Sequence, residues 1–201
     1  YVGFKYTSGS VHGTGTNSTI LTALNSWYSS NLSSYADDID INAGFCNDRY
    51  PSTSSSSSNG SGGTSTTQTY YAAYIRLITN KTPSFKCQTS SDLFTVSSSS
   101  KGNKTLTYPI GLITADEVAY AGGVLGTTNS SYYLYTNSAY WTMPPCNVNS
   151  SGDAFVFLVW SGGNLTSDWV NNANGVRPVI NLKANVTISE GNGTSNSPYV
   201  V

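Results

Sequence analysis

SGDAFVFLVWSGGNLTSDWVNNANGVRPVINLK, residues 151–183, sets a dense apolar run against a long polar one. AFVFLVW, 154–160, is short, β-branched and aromatic, and it is bounded by Ser, Gly and Asp, so it reads as a strand with at least one face in the core. The adjoining WSGGNLTSDWVNNAN mixes Trp with Asn, Ser and Asp and offers no apolar periodicity. It reads as a loop over 160–174, succeeded by a second extended segment, VRPVINL, at 176–182.

The rest of the chain fits around that strand. YYLYT at 132–136, AYWTM at 139–143 and NVTIS at 185–189 carry strand composition, and YYAAYIRLI at 70–78 is a further strand candidate. In the first segment, YVGFKYT makes a short strand and SGSVHGTGTN is turn chemistry. Two helices are announced by their ends. Ile20, Leu21, Leu24, Trp27, Tyr28 and Leu32 recur at three- and four-residue spacings behind Asn17 or Ser18 as cap. In TADEVAYAGG, Thr114 and Glu117 form a capping box and Gly122 is the terminator. Helices and strands segregated in this way predict an α+β domain, two helices packed on small antiparallel sheets with long loops.

The length, 201 residues with 38% hydrophobic, suits one domain over 1–201. Residues 51–68 have no apolar side chain to bury and read as a flexible insertion. Only 9% of residues are charged, with nine basic against ten acidic. Without a basic stripe, phosphate neutralisation fails, and a nucleic-acid partner is excluded. No apolar run reaches the length of a membrane span. The composition reads as extracellular, and a chain that opens on Tyr1 reads as a mature or excised segment whose signal or anchor lies elsewhere.

Three cysteines lack the paired spacings of a zinc site, and His12 is the sole histidine, so neither a metal nor a cofactor is expected. A disulfide between Cys46 and Cys87 closes the Ser-rich insertion and leaves Cys146 free or bonded to another chain; three buried thiols are the competing reading. His12 has no nucleophile to serve. Asp37, Asp38 and Asp40 suit a helix end, and Asp116 and Glu117 suit a helix N-terminal dipole, so no enzyme is expected. N-x-S/T sequons recur, Asn149 and Asn164 among them, as such a composition produces without selection.

Several segments together carry a family likeness: NAGFCNDR, YPIGLITADEVAYAGG, YYLYTNSAYWTMPP and NGVRPVINLKANVTISEGNGTSNSPYVV. The chain resembles, over its whole length, secreted bacterial proteins of the formylglycine-generating-enzyme-like branch of the C-type lectin fold. That branch includes the variable proteins of diversity-generating retroelements from gut Firmicutes and Mollicutes. The resemblance implies fixed strands holding a variable surface that ends before the Gly-Val-Arg-Pro strand. On it, Ser161, Gly162, Leu165, Val170 and Gly175 are framework. Trp160, Asn164, Thr166, Ser167, Asp168, Trp169, Asn171, Asn172, Ala173 and Asn174 fall where such proteins vary, and Cys146, Asn147 and Asn149 fall in a similar loop.

The expected function is therefore a secreted or surface-displayed binding module. Its ligand surface is built from Trp160, Asn164, Thr166, Ser167, Asp168, Trp169, Asn171, Asn172, Asn174, Asn147 and Asn149. Its partner is a protein or glycan on another cell or phage surface. The competing expectation is a structural subunit that self-associates into a surface fibre or pilus. Arg177 is expected to brace loop carbonyls. Val170, Val176, Val179 and Ile180 are expected in the core, with the polar set of 164–174 exposed on one face.

Overall fold

The computed structural model describes residues 17–51, 68–194 and 196–201. The opening strand, the neighbourhood of His12 and nearly all of the Ser-rich insertion lie outside the described residues. The architecture is α+β with antiparallel sheets. A four-stranded sheet has β2 (Thr69–Tyr70), β4 (Tyr140–Val148), β5 (Ala154–Val159) and β6 (Leu165–Trp169) in the order β2-β4-β5-β6. A second, two-stranded sheet pairs β1 (Phe45–Cys46) with β3 (Leu93–Phe94).

The large sheet is covered on both faces, because alternate side chains of β5 feed two different cores. Val156 and Leu158 join Trp141 and Met143 in one cluster, under α1 (Thr19–Asn31) and with Phe45, Phe94, Ile110 and Leu112. Phe157 and Val159 join Tyr140, Cys146 and Leu165 in the other, under α3 (Ala115–Ala121) with Ala115 and Val118. The run AFVFLV is apolar on both sides because both sides are buried.

Both helices form where their ends predict. Ser18 accepts from Leu21 N, and Leu21, Leu24 and Tyr28 face the core. Trp27 stays on the surface at 42% exposure. Thr114 and Glu117 cap each other reciprocally, and Gly122 closes α3 at φ 114°.

Several strand expectations fail. Of YYAAYIRLI only Tyr70 lies in a strand. The rest winds into α2 (Ala72–Tyr74) and a π-helical turn over Ile75–Asn80, ending at Lys81 in the left-handed region, φ 55°. Ala73 and Leu77 are thereby buried on one side, which an apolar run without clear period permits as well as a strand. YYLYT is an irregular turn held by Tyr140 Oη donating to Leu134 O at 2.8 Å. Segments 176–182 and 185–189 are not strands. The first touches the body through isolated bridges, Gly111 with Val179 and Ile39 with Leu182.

β4 carries Pro144 and Pro145 inside the sheet, where neither has an N–H to give. The ladder to β5 shifts register on both sides of Pro145, and Met143 N turns instead to Ile113 O at 2.8 Å. Arg177 donates to Leu134 O at 3.0 Å and lies 5.5 Å above the Tyr140 ring. Cys46 and Cys87 are joined by a disulfide, and Cys146 is a buried free thiol. Burial pushes that thiol up to about 12, against a hydrogen bond from Ser167.

Candidate functional site: the open end of the β5–β6 hairpin

Residues 165–169, expected in a loop, form β6. Gly162 and Gly163 supply the reason. Trp160 N donates to Asn164 O at 2.9 Å and Gly163 N to Trp160 O at 2.8 Å, closing a tight turn. Gly163 sits at φ 81°, and a Cβ there would stand 1.9 Å from Asn129 O, so only glycine fits. β6 then pairs with β5 in register, Phe155 with Trp169, Phe157 with Ser167 and Val159 with Leu165.

That register divides the candidate residues. Ser167 shares the Phe157 face, whereas Thr166 and Asp168 oppose Leu158 and Val156 on the other. They are half-buried and do not form the single exposed face expected from the sequence; Asn164 and Asn174 are half-buried too. Trp160 and Asn164 belong to the turn, and Trp169 to the far end, roughly 17 Å away for five residues of strand. Cys146 and Asn147 are not in a loop but in β4, with Asn147 between Tyr70 and Phe155. Val170 and Val176, expected in the core, are 42% and 40% exposed. Val179 and Ile180 are half-buried against the α1 core.

At the far end a subset does converge. Asp168 spends its carboxylate on the turn next to it, accepting from Asn172 Nδ2 at 2.7 Å, Asn174 Nδ2 at 3.0 Å and its neighbour's amide, Trp169 N, at 2.9 Å. Asn149 organises the β4–β5 turn in the same way. Its Oδ1 accepts from Ser151 N at 3.0 Å and Asp153 N at 2.9 Å, and its Nδ2 donates to Asp153 Oδ2 at 2.9 Å. Between the two turns lies an open groove of 330 Å³ lined by Gly152, Asp153, Trp169, Val170, Asn171 and Asn172. Trp169 is half-exposed, with one side leaning on Phe155 at 5.7 Å between ring centroids. An aromatic surface beside amides and a carboxylate, on turns fixed by their own hydrogen bonds, can stack a ligand and orient its polar groups.

Asp153 and Gly152 were not among the sequence candidates. Their signal was the turn pattern NSSGD, which marks a hairpin next to the strand but says nothing of what faces it across space.

The charged residues assemble elsewhere. Arg76 holds Asp116 with two bonds, Nε to Oδ1 at 2.9 Å and Nη2 to Oδ2 at 2.7 Å, and also holds Asp48 Oδ2 at 2.5 Å. Asp116 Oδ1 accepts Ser84 N as well, at 2.8 Å. Arg49 pairs with Asp92 at 2.8 Å beneath the Phe94 ring. Asp116 is therefore a buried ion partner, more than the helix-dipole residue the sequence suggested. Burial raises the Asp48 carboxyl above its usual range, and Arg76 opposes the rise. These carboxylates are committed to guanidinium groups and hold segments together.

Comparison of the chain with protein-family models, with curated proteins and with solved structures finds no match.

Proposed function

We propose that the protein is a secreted or surface-displayed recognition module of the C-type-lectin-like kind, whose ligand surface is the open end of the β5–β6 hairpin. The observation that supports this most is Trp169, half-exposed over a 330 Å³ groove and flanked by Asn171, Asn172 and Asp153 on two self-braced turns. Such a surface suits a polar partner, a protein or glycan on another cell or phage, bound without metal or cofactor. Pre-braced turns lower the ordering cost of binding. The Cys46–Cys87 disulfide is compatible with an oxidising, extracellular setting.

The test compares the wild type with Trp169→Ser/Asn171→Ser/Asn172→Ser on a glycan array and on an array of bacterial and phage surface proteins, with Trp160→Ser as control. Binding lost in the triple variant and kept by the control is the expected result. Equal binding by all three chains sinks the proposal.

A second reading, a fibre subunit, is favoured by one observation. Val176, Leu182, Ile188, Tyr199 and Val200 are each at least 40% exposed along the C-terminal segment. An apolar series of that kind suits burial against another surface. Sedimentation over a wide concentration range separates the readings, since a fibre subunit lengthens its oligomers as concentration rises and a recognition module stays of one size.

A further inference from the structure

A mainly apolar concavity lies away from the hairpin end. It is a groove of 490 Å³ between the π-helical turn, the end of α3 and the start of β6, in the size range of small-molecule sites. Leu77 and Leu165 are its buried floor, Ile78 and Leu125 are half-buried walls, and Val124 stands at its rim 53% exposed.

Lys81 is the one charged residue lining it among the described residues. It caps the π-helical turn at φ 55°, a conformation that glycine adopts freely and lysine does not, so the backbone alone would favour Gly. Its ammonium also forms none of the ion pairs among the described residues, which use Arg49 and Arg76. Lys104 too combines a left-handed backbone with no ion pair among the described residues, but only Lys81 lines this groove. Lys81 is exposed, and its charge stands at the edge of the groove. The π-helical turn that it caps is a rare geometry that recurs at functional sites.

We propose that this groove binds a free amphipathic carboxylate, a saturated fatty acid of medium length, with its alkyl chain along Leu77, Ile78, Leu125 and Leu165 and its carboxylate on Lys81 Nζ. The charge at the rim selects the class. A cationic amphiphile is repelled there, and an alcohol of equal length loses the charge-assisted hydrogen bond while keeping the apolar contact. The head group stays at the edge of water, so the desolvation cost that penalises buried ion pairs is small. The site shares no residue with the hairpin-end groove, and either can fail without the other.

Titration calorimetry and amide chemical-shift mapping on the whole chain test it with hexanoate, octanoate, octanol and octyltrimethylammonium. Octanoate is expected to bind about ten-fold more tightly than octanol, and each added methylene to tighten carboxylate binding about three- to four-fold. Shifts should map to 77–83 and 119–127. Lys81→Gly relieves the left-handed backbone and so should fold; it is expected to weaken octanoate about ten-fold and leave octanol unchanged. Val124→Glu, at an exposed rim position, should also weaken octanoate. Octanoate held equally well by Lys81→Gly overturns the proposal, as do octanol matching octanoate on the wild type, shifts centred on 149–153 and 169–174, or no saturation by octanoate below its micelle concentration.

Discussion

The ion-pair cluster around Arg76 and the open end of the β5–β6 hairpin divide this chain's polar chemistry between them. The first gathers Asp48, Arg76 and Asp116 from positions far apart in sequence and buries them, with side chains 4%, 13% and 3% exposed. The second is built from neighbours, Asp168 with Asn172 and Asn174, Asn149 with Asp153, and it leaves an aromatic ring and the Asn171 side chain facing water. A chain with only 9% charged residues places these charges inside as clamps, and its candidate recognition surface is made mainly of amides and an indole. Disturbing the first should unfold the protein, and disturbing the second should not.

The largest expected effect is at Arg76. Arg76→Leu leaves two buried carboxylates, Asp48 and Asp116, without their cation. A loss of about 3–5 kcal/mol is expected, as for breaking one side of a buried pair. Urea denaturation measures it, and a loss within about 0.5 kcal/mol, the size of a surface change, would mean that the cluster does not hold the fold together.

The disulfide comes next. Cys46 and Cys87 are separated by 41 residues in sequence, so the crosslink removes loop entropy worth about 4 kcal/mol from the unfolded chain. Cys46→Ser/Cys87→Ser is expected to lower stability by about 2–4 kcal/mol, read as a drop in denaturation midpoint. Under denaturing, non-reducing conditions only Cys146 should take up a thiol reagent. In the native state its burial and high pKa should make that uptake slow.

A pH titration sharpens the same contrast. The Asp48 carboxyl is raised on folding, chiefly by burial, so its contribution to stability is greatest below its unfolded value and is lost as pH rises through the folded one. Comparison with Asp48→Asn between neutral pH and about pH 4 should show the wild type gaining on the variant as pH falls. A difference that does not change with pH would mean that Asp48 keeps the same proton affinity in both states.

Legibility in the sequence divides in the same way between local and distant. The two helices are readable because Ser18, Thr114, Glu117 and Gly122 declare their ends within a few residues. The central strand is readable from composition. β6 escapes such a reading because LTSDW carries one aliphatic residue, although Gly162 and Gly163 mark the hairpin turn that fixes its register. Tyr71 to Ile78 goes largely to helix because what decides it is long-range packing of Ala73 and Leu77. Val176 to Leu182 has strand composition but no ladder, only single bridges. No motif foretells Asp48 meeting Arg76 and Asp116. Of the candidate site, Trp169, Asn171, Asn172 and Asn149 are named from the sequence and do lie around one groove or its bracing turn. Trp160 is named with them and lies at the opposite end of the hairpin.

The smallest expected effect is at that groove, and its smallness carries the argument. Asn171 donates no side-chain hydrogen bond among the described ones, Trp169 is half-exposed, and Asn172 adds one bond to a turn that Asn174 also braces. Trp169→Ser/Asn171→Ser/Asn172→Ser should therefore cost well under about 1 kcal/mol in all, since surface substitutions scatter within about 0.5 kcal/mol of either sign. Asp168→Ala removes the acceptor of both asparagines and should cost about 1–2 kcal/mol, the range for a few partly exposed hydrogen bonds. Thermal and urea denaturation of the two variants measure the difference. If the triple variant unfolds as readily as Asp168→Ala, Trp169 and the two asparagines are holding the turn themselves, and a surface committed to its own fold is a poor place to look for a partner.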